Sequence, residues 1–142
     1  MAIQTVLDRF ATPPCAKLLG LDILAADPTE GRVRIGFEGR AEFCNAAGGI
    51  QGGLLTAMLD DCIGSAVLIG TDAQLLPTTI SLHVNFLAPA KPGRLIGEAS
   101  IQRMGKTIGF IEASLRDEGG QMIATAGASV RVVPLPGAIA RS

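Results

Sequence analysis

The stretch Asn45-Ala46-Ala47-Gly48-Gly49-Ile50-Gln51-Gly52-Gly53, running directly into Leu54-Leu55-Thr56-Ala57-Met58-Leu59-Asp60-Asp61-Cys62, decides how the chain folds. Its first part has no periodicity and is rich in glycine, which marks a loop. From about Gln51 to Ile69 good helix formers take over, and Leu54, Leu55, Met58, Leu59, Cys62, Ala66 and Val67 make an apolar face so wide that the helix must be buried on most sides. The remaining stripe is Gly53, Ala57, Asp60 and Gly64, spaced four, three and four residues apart, so another backbone can approach closely beside Asp60. A glycine loop opening a helix leaves unpaired amides and the positive end of the dipole facing outward, which favours negative charge. Glycine at 52 and 53 lets a ligand carbonyl come close without meeting a Cβ. Asp60 lies nearly ten residues into that helix and cannot act at its start, but it can act at the start of the same helix in a second copy packed antiparallel.

Outward from the helix, the pattern is that of strands. Leu21–Ala26 and Arg32–Phe37 flank the turn signal Asp27-Pro28-Thr29-Glu30-Gly31. After Pro77, Thr78–Leu87 alternates, with Ile80, Leu82, Val84 and Phe86 on one face and Thr79, Ser81, His83 and Asn85 on the other. Leu95–Arg103, Thr107–Asp117 and Gln121–Val133 then predict a meander with turns at Met104-Gly105-Lys106 and Glu118-Gly119-Gly120. A short amphipathic helix is expected over Ile3–Phe10, stopped before Pro13-Pro14, and the tail from Pro134 to the end is expected to be poorly ordered. One long buried helix followed by antiparallel strands is an α+β layout, one domain over residues 1–142, with the sheet wrapped on the helix.

Composition narrows the function. Apolar residues make up 48% of the 142 and charged ones 18%, more apolar material than a small monomer hides easily. The long apolar run Leu54–Ile69 carries Asp60 and Asp61 at its middle, and a carboxylate at a bilayer centre costs about 3 kcal/mol. The surplus therefore points to subunit contacts, not a membrane. A net charge of −1, with neither Tyr nor Trp, gives nucleic acid neither an electrostatic footprint nor a stacking platform. Cys15, Cys44 and Cys62 share no metal or redox spacing and read as reduced thiols; with His83 as the single histidine, no metal site is expected. The opening residues lack the basic and apolar regions of a signal peptide, so a cytoplasmic protein is expected.

The loop-and-helix stretch resembles the signature of the phenylacetic-acid-degradation-type (PaaI-like) thioesterases, a hotdog family. Their pattern is Asn, five residues, His-Gly-Gly, then an acidic residue nine positions after the His, and Asn45, Gln51-Gly52-Gly53 and Asp60 keep that spacing. Phe86-Leu87-Ala88-Pro89-Ala90-Lys91-Pro92-Gly93 resembles the family's strand ending in an aromatic and Pro-Ala, and Gln102-Arg103-Met104-Gly105-Lys106 its basic-flanked turn. The likeness runs from about Leu19 to Val133.

The resemblance implies a hotdog fold, a homodimer or a homotetramer built as a dimer of dimers, no cofactor, and hydrolysis of an acyl-CoA to free acid and CoA. It makes Asp60 the nucleophile or the general base that activates water. It gives Gly52 the amide that holds the oxyanion, has Asn45 orient the carbonyl or the water, and sets Thr79 near the acidic residue. Gly53 would border the substrate, and Arg103 and Lys106 would meet the CoA phosphates. Gln51 stands where the family usually has His; glutamine can hold the loop but cannot shuttle a proton near neutral pH. Loss of that proton carrier is tolerable because a thiolate, of a thiol with pKa about 8.5, leaves without much help. The same substitution motivates the alternative of a non-catalytic acyl-CoA-binding hotdog module. A hydratase would need a second acid/base after Asp60, and positions 61–69 hold no His. Asp61, about 100° around the helix from Asp60, reads as structural or interfacial, His83 as a solvated strand residue and Cys62 as core.

Overall fold

The computed structural model describes residues 3–136. Six strands, β1 (Asp22–Asp27), β2 (Arg32–Gly39), β3 (Leu75–Phe86), β4 (Gly93–Met104), β5 (Ile108–Asp117) and β6 (Met122–Pro134), form one sheet in the order β1-β2-β4-β5-β6-β3. Every neighbouring pair is antiparallel. Two helices accompany it, α1 (Pro14–Leu19) and α2 (Gly52–Gly70). The expected meander is β4-β5-β6, and β3 closes onto β6 to become an edge.

The sheet curves around α2 because the wide apolar face of that helix has nowhere else to go. Met58, Leu59, Cys62, Ile63, Ala66 and Val67 are fully buried against Ile35, Phe37, Leu95, Ile111, Leu115 and Val130. Each large apolar side chain removed from water contributes roughly 1.5–3 kcal/mol, so this seam dominates the stabilising side of folding. By length and composition α2 could span a membrane, yet its apolar side is spent on the sheet. Gly97 sets how closely helix and sheet approach: Cys62 Sγ occupies the place a Cβ would take there, with Phe37 Cε2 3.0 Å from it. Gly97 lies against the middle of α2 and Ile101 against Gly70, so β4 runs parallel to the helix. Phe86 beside Gly52 and Pro77 beside Gly64 show β3 running antiparallel to it. This layout, a long helix wrapped by a six-stranded antiparallel sheet, is the hotdog fold.

Three local features differ from the sequence pattern. The Ile3–Phe10 segment is helical only over the 3-10 turn Val6–Arg9, closed by a capping box between Thr5 and Asp8. Pro13-Pro14 does not only stop a helix: Pro14 begins α1, at the first helical position where the missing N–H is no loss. Pro134 still pairs with Leu75 and Leu135 N–H donates to Gln74 O at 3.0 Å, so order continues past the expected start of the tail; residues 137–142 lie outside the described residues.

A fourth difference bears on function. The alternation expected for Thr78–Leu87 is broken by a bulge, since Thr79 pairs with Val130 but Ser81 with Ser129, leaving Ile80 as the extra residue. Side-chain parity therefore switches at Ile80. Leu82 and Val84 keep their half-buried positions, Ile80 is 58% exposed instead of sharing their face, and Thr79 leaves the face of Ser81, His83 and Asn85 to point toward α2.

The Gly97 contact is testable by paired substitutions. Gly97→Ala forces a Cβ into Cys62 and Phe37 and is expected to cost about 1–3 kcal/mol. Gly127→Ala on β6, where a Cβ meets nothing within 4 Å, is expected to stay within about 0.5 kcal/mol of the parent. Urea unfolding midpoints of the two variants check this, and equal midpoints would contradict the close-approach role of Gly97.

Candidate active site

The N-terminus of α2 is built from the loop that precedes it. Asn45 N–H donates to Gly49 O at 2.8 Å, Gln51 N–H to Phe43 O at 2.9 Å, and Ile50 N–H to Ala90 O at 2.8 Å, tying the loop to both its own start and the segment after β3. Gly48 takes φ +86°, a left-handed conformation that glycine adopts freely, to close the turn. Asn45 Oδ1 accepts from the N–H of Ala47 at 3.0 Å and of Gly49 at 3.3 Å. Its carbonyl is thus used inside the loop, and the donors of its amide stay available to a ligand.

Gln51 is the N-cap of α2, its Oε1 accepting from Leu54 N–H at 3.2 Å. The same atom lies 2.7 Å from where a Cβ at Gly53 would stand, so the open approach expected over Gly53 is filled by the Gln51 carboxamide. Among the hydrogen bonds of the described residues, none engages the N–H of Gly52 or Gly53. The first turn therefore presents two free donors together with the helix dipole, an arrangement suited to an oxyanion. Beside Gly52 lies the ring of Phe86, with Cε1 and Cζ 3.3 Å from the position of a would-be Cβ. A cleft of about 490 Å³ opens there, bounded by Asn45, Ile50, Gly52, Leu55, Phe86 and Leu87.

The carboxylate end of the candidate set sits elsewhere. Asp60 is exposed on the small-residue stripe, and Thr79 Oγ1 donates to its Oδ1 at 2.7 Å. The bulge at Ile80 is what turns Thr79 toward it. Eight residues separate Gly52 from Asp60, which is roughly 12 Å of helix rise, so the two do not meet within one chain. Arg103 and Lys106 are exposed at the end of β4 and the following hairpin, beyond the C-terminal end of α2 and at the opposite end from Gly52.

Two groups near this set have a different character. Asp61 has a buried Oδ2 without a hydrogen-bond partner among the described residues, and its pKa is raised from 3.8 to about 6, first by loss of water and then by the Asp60 charge beside it. Burial pushes the Cys62 thiol up strongly, with Asp61 and Glu98 adding to it, so this cysteine is inert packing material. Among the described residues no three His, Cys, Asp or Glu side chains come together as a metal-ligating group. A separate depression of about 540 Å³ on the far face of the sheet, with Arg32, Glu98, Glu112 and Thr125 around it, contains none of the candidate residues. Phe86 and Leu87 border the cleft without belonging to the Asn45–Asp60 spacing; their signal in the sequence is two large apolar residues placed immediately before Ala88-Pro89, where a strand ends.

The pattern of the thioesterase superfamily matches residues 47–124, from the α2 loop to the start of β6. The chain belongs to the thioesterase superfamily. Human acyl-coenzyme A thioesterase 13 is 30% identical over 111 residues, 76% of this chain and 77% of that one. A phenylacetic acid degradation-related protein of Ralstonia eutropha JMP134 superposes with a TM-score of 0.80 at 33% identity, covering 85% of this chain and 92% of that one. A thioesterase family protein of Silicibacter pomeroyi gives 0.81 at 26% identity, covering 91% and 96%. The resemblance to the PaaI-like thioesterases thus holds for family and fold.

A carboxyl whose pKa is raised in the folded state holds its proton more tightly there than when unfolded. Its cost is absent below about pH 4, grows as the pH rises toward 6, and is constant above. Asp61→Asn has no proton to lose, so its stability relative to the parent should rise between pH 4 and pH 7.5. The upper bound is about 3 kcal/mol, and partial solvent screening leaves about 1–2. Unfolding free energies of both proteins at the two pH values measure it; a difference that does not change with pH would refute the buried-carboxylate account.

Proposed function

We propose that the chain hydrolyses acyl-CoA thioesters to free acid and CoA, at a site shared between two antiparallel copies of α2. The observation that carries this reading is the exposed Asp60 carboxylate, held by Thr79 on a stripe of small residues and about 12 Å along a rigid helix from the free amides of Gly52 and Gly53. A carboxylate and an oxyanion site on one rod cannot address one carbonyl. Two rods packed antiparallel along Gly53, Ala57, Asp60 and Gly64 bring Asp60 of each to the helix start of the other, twice over. A homodimer, or a dimer of dimers, is then part of the catalytic apparatus. The relationship to human acyl-coenzyme A thioesterase 13 supports CoA as the thiol carrier.

In this site the thioester carbonyl oxygen points at the Gly52 N–H of one copy, with an Asn45 amide donor beside it. Thr79 occupies Oδ1 of Asp60 in the other copy and leaves Oδ2 to act. As a general base, Asp60 takes a proton from water while the water oxygen bonds to the carbonyl carbon. The oxyanion so formed is held by the Gly52 amide. Its collapse breaks the C–S bond, and CoA leaves as thiolate, which collects a proton from solvent or from Asp60. As a nucleophile, Asp60 would displace the thiolate itself, forming an anhydride that water then opens. Gln51 takes no proton in either route; as the N-cap it holds the first turn of α2 through Leu54 N–H and covers Gly53, leaving the Gly52 amide to face the substrate. Antiparallel packing also sets Arg103 and Lys106 of one copy at the end that holds Gly52 of the other, where CoA phosphates would lie.

Thiol release from a panel of acyl-CoAs tests the reading. Asp60→Asn is expected to lower kcat by about 10²–10⁴-fold, the usual weight of a general base. Thr79→Val, losing one hydrogen bond to a charged group, should cost about 10–100-fold. Full turnover in Asp60→Asn would remove Asp60 from its role, and tight acyl-CoA binding without thiol release would mark a binding module instead.

A further inference from the structure

The cleft beside Gly52 has a chemistry of its own. Phe86 and Leu87 are 53% and 59% exposed, two large apolar side chains in succession at the mouth of a functional loop. With Ile50, Leu55, Ala88 and Ala90 they make walls of hydrocarbon, and among the described residues Asn45 is the single polar side chain lining the space. None of the lining residues is charged. The walls are also fixed. Phe86 pairs with Ala124, the N–H groups of Leu87 and Ala88 donate to Ile123 O at 2.8 and 3.2 Å, and Ala90 O accepts from Ile50 N–H. The backbone that carries the ring beside Gly52 is therefore anchored on both sides.

A thioester carbonyl at the Gly52 amide has two arms. The pantetheine arm carries amide groups that lose their water partners in an apolar cleft, whereas a hydrocarbon acyl arm loses nothing and covers the exposed faces of Phe86 and Leu87. The volume, about 490 Å³, lies within the range of roughly 300–1,000 Å³ typical of small-molecule pockets. Resting on the thioesterase reading above, we propose that Phe86 is the specificity-determining residue and that its cleft receives the acyl group as an uncharged hydrocarbon, aromatic or aliphatic. Acyl groups ending in a carboxylate are rejected: among the described residues no cation of the same protomer lines the cleft, and Arg103 and Lys106 of the antiparallel copy are engaged by the CoA phosphates.

Two comparisons of kcat/KM test this in the full-length protein. Butyryl-CoA and succinyl-CoA have acyl chains of equal length and differ by the terminal carboxylate; the parent should prefer butyryl by about 100-fold or more. Leu87→Arg, a substitution at an exposed position, adds a cation to the cleft and should raise the succinyl-to-butyryl ratio at least about tenfold. In the second comparison, Phe86→Ala should lower the ratio of hexanoyl- or benzoyl-CoA to acetyl-CoA at least about tenfold, with Phe86→Leu restoring the hexanoyl ratio but not the benzoyl one. A uniform fall for all acyl groups in Phe86→Ala would assign the cleft to the pantetheine arm and overturn the proposal. So would equal turnover of butyryl- and succinyl-CoA by the parent. Either result leaves the hydrolase reading standing, whereas a parent that hydrolyses no acyl-CoA removes both together.

Discussion

The seam between α2 and the concave face of the sheet is the contact on which everything else hangs. Met58, Leu59, Cys62, Ile63, Ala66 and Val67 have no exposed surface, and Gly97 lets Cys62 sit against β4 without a gap. Close packing of this kind fixes the helix in rotation as well as position, since turning it by one residue would bury Asp61 fully or expose Met58. Rotation in turn decides which residues form the outward stripe. Gly53, Ala57, Asp60 and Gly64 are there because the other faces are committed to the core. The position of the Asp60 carboxylate is thus a by-product of a hydrophobic constraint, and the Thr79 hydrogen bond orients a group that the core has already placed.

That hydrogen bond depends on an irregularity. In a regular strand Thr79 would share a face with Ser81, His83 and Asn85, away from the helix, and the alternation of residues 78–87 in the sequence predicts just that. The bulge at Ile80 reverses the parity of everything before it, bringing Thr79 over Asp60 and leaving an isoleucine on the exposed edge. The bulge left no trace in the alternation, because Pro77, Thr78 and Thr79 before it carry no apolar contrast to show a phase shift and Ile80 continues the apolar phase of Leu82, Val84 and Phe86. The hint in the sequence was chemical: the spacing of the family motif set Thr79 near Asp60 although the periodicity set it on the wrong face. Where the two disagree, a bulge is the cheapest backbone device that satisfies both.

Elements governed by burial were legible from sequence, and those governed by local hydrogen bonding were not. The extent of α2, the β4-β5-β6 meander and the loop that opens at Asn45 follow from apolar periodicity and glycine placement. The start of α1 at Pro14 does not, because a proline that ends one helix is equally fitted to begin the next. The function of Gln51 as a cap was hidden for a similar reason, since its side chain folds back over Gly53 and only then reaches Leu54 N–H. The difference between adjacent Asp60 and Asp61 was legible from helix geometry, since 100° of rotation gives one a hydroxyl partner and open solvent and leaves the other with an orphaned oxygen among the described residues.

The unequal treatment of these two carboxylates bears on the choice between one chain and two. The buried Oδ2 of Asp61 finds no hydrogen-bond partner among the described residues and Asp61 sits on the flank of the stripe, while Gly53, Ala57 and Gly64 carry no polar side chain and little apolar bulk. A helix face made of small residues has little to gain from solvent and much to gain from a second backbone laid against it. β3 offers the same invitation, a twelve-residue edge strand with one side of its hydrogen-bonding groups unpaired by any neighbour among the described residues. Helix stripe and strand edge lie side by side, joined by the Asp60–Thr79 bond. A single partner copy covering both would enclose Asp60 between two helices, and the carboxylate, exposed in the isolated chain, would gain its surroundings in the same step that extends the sheet.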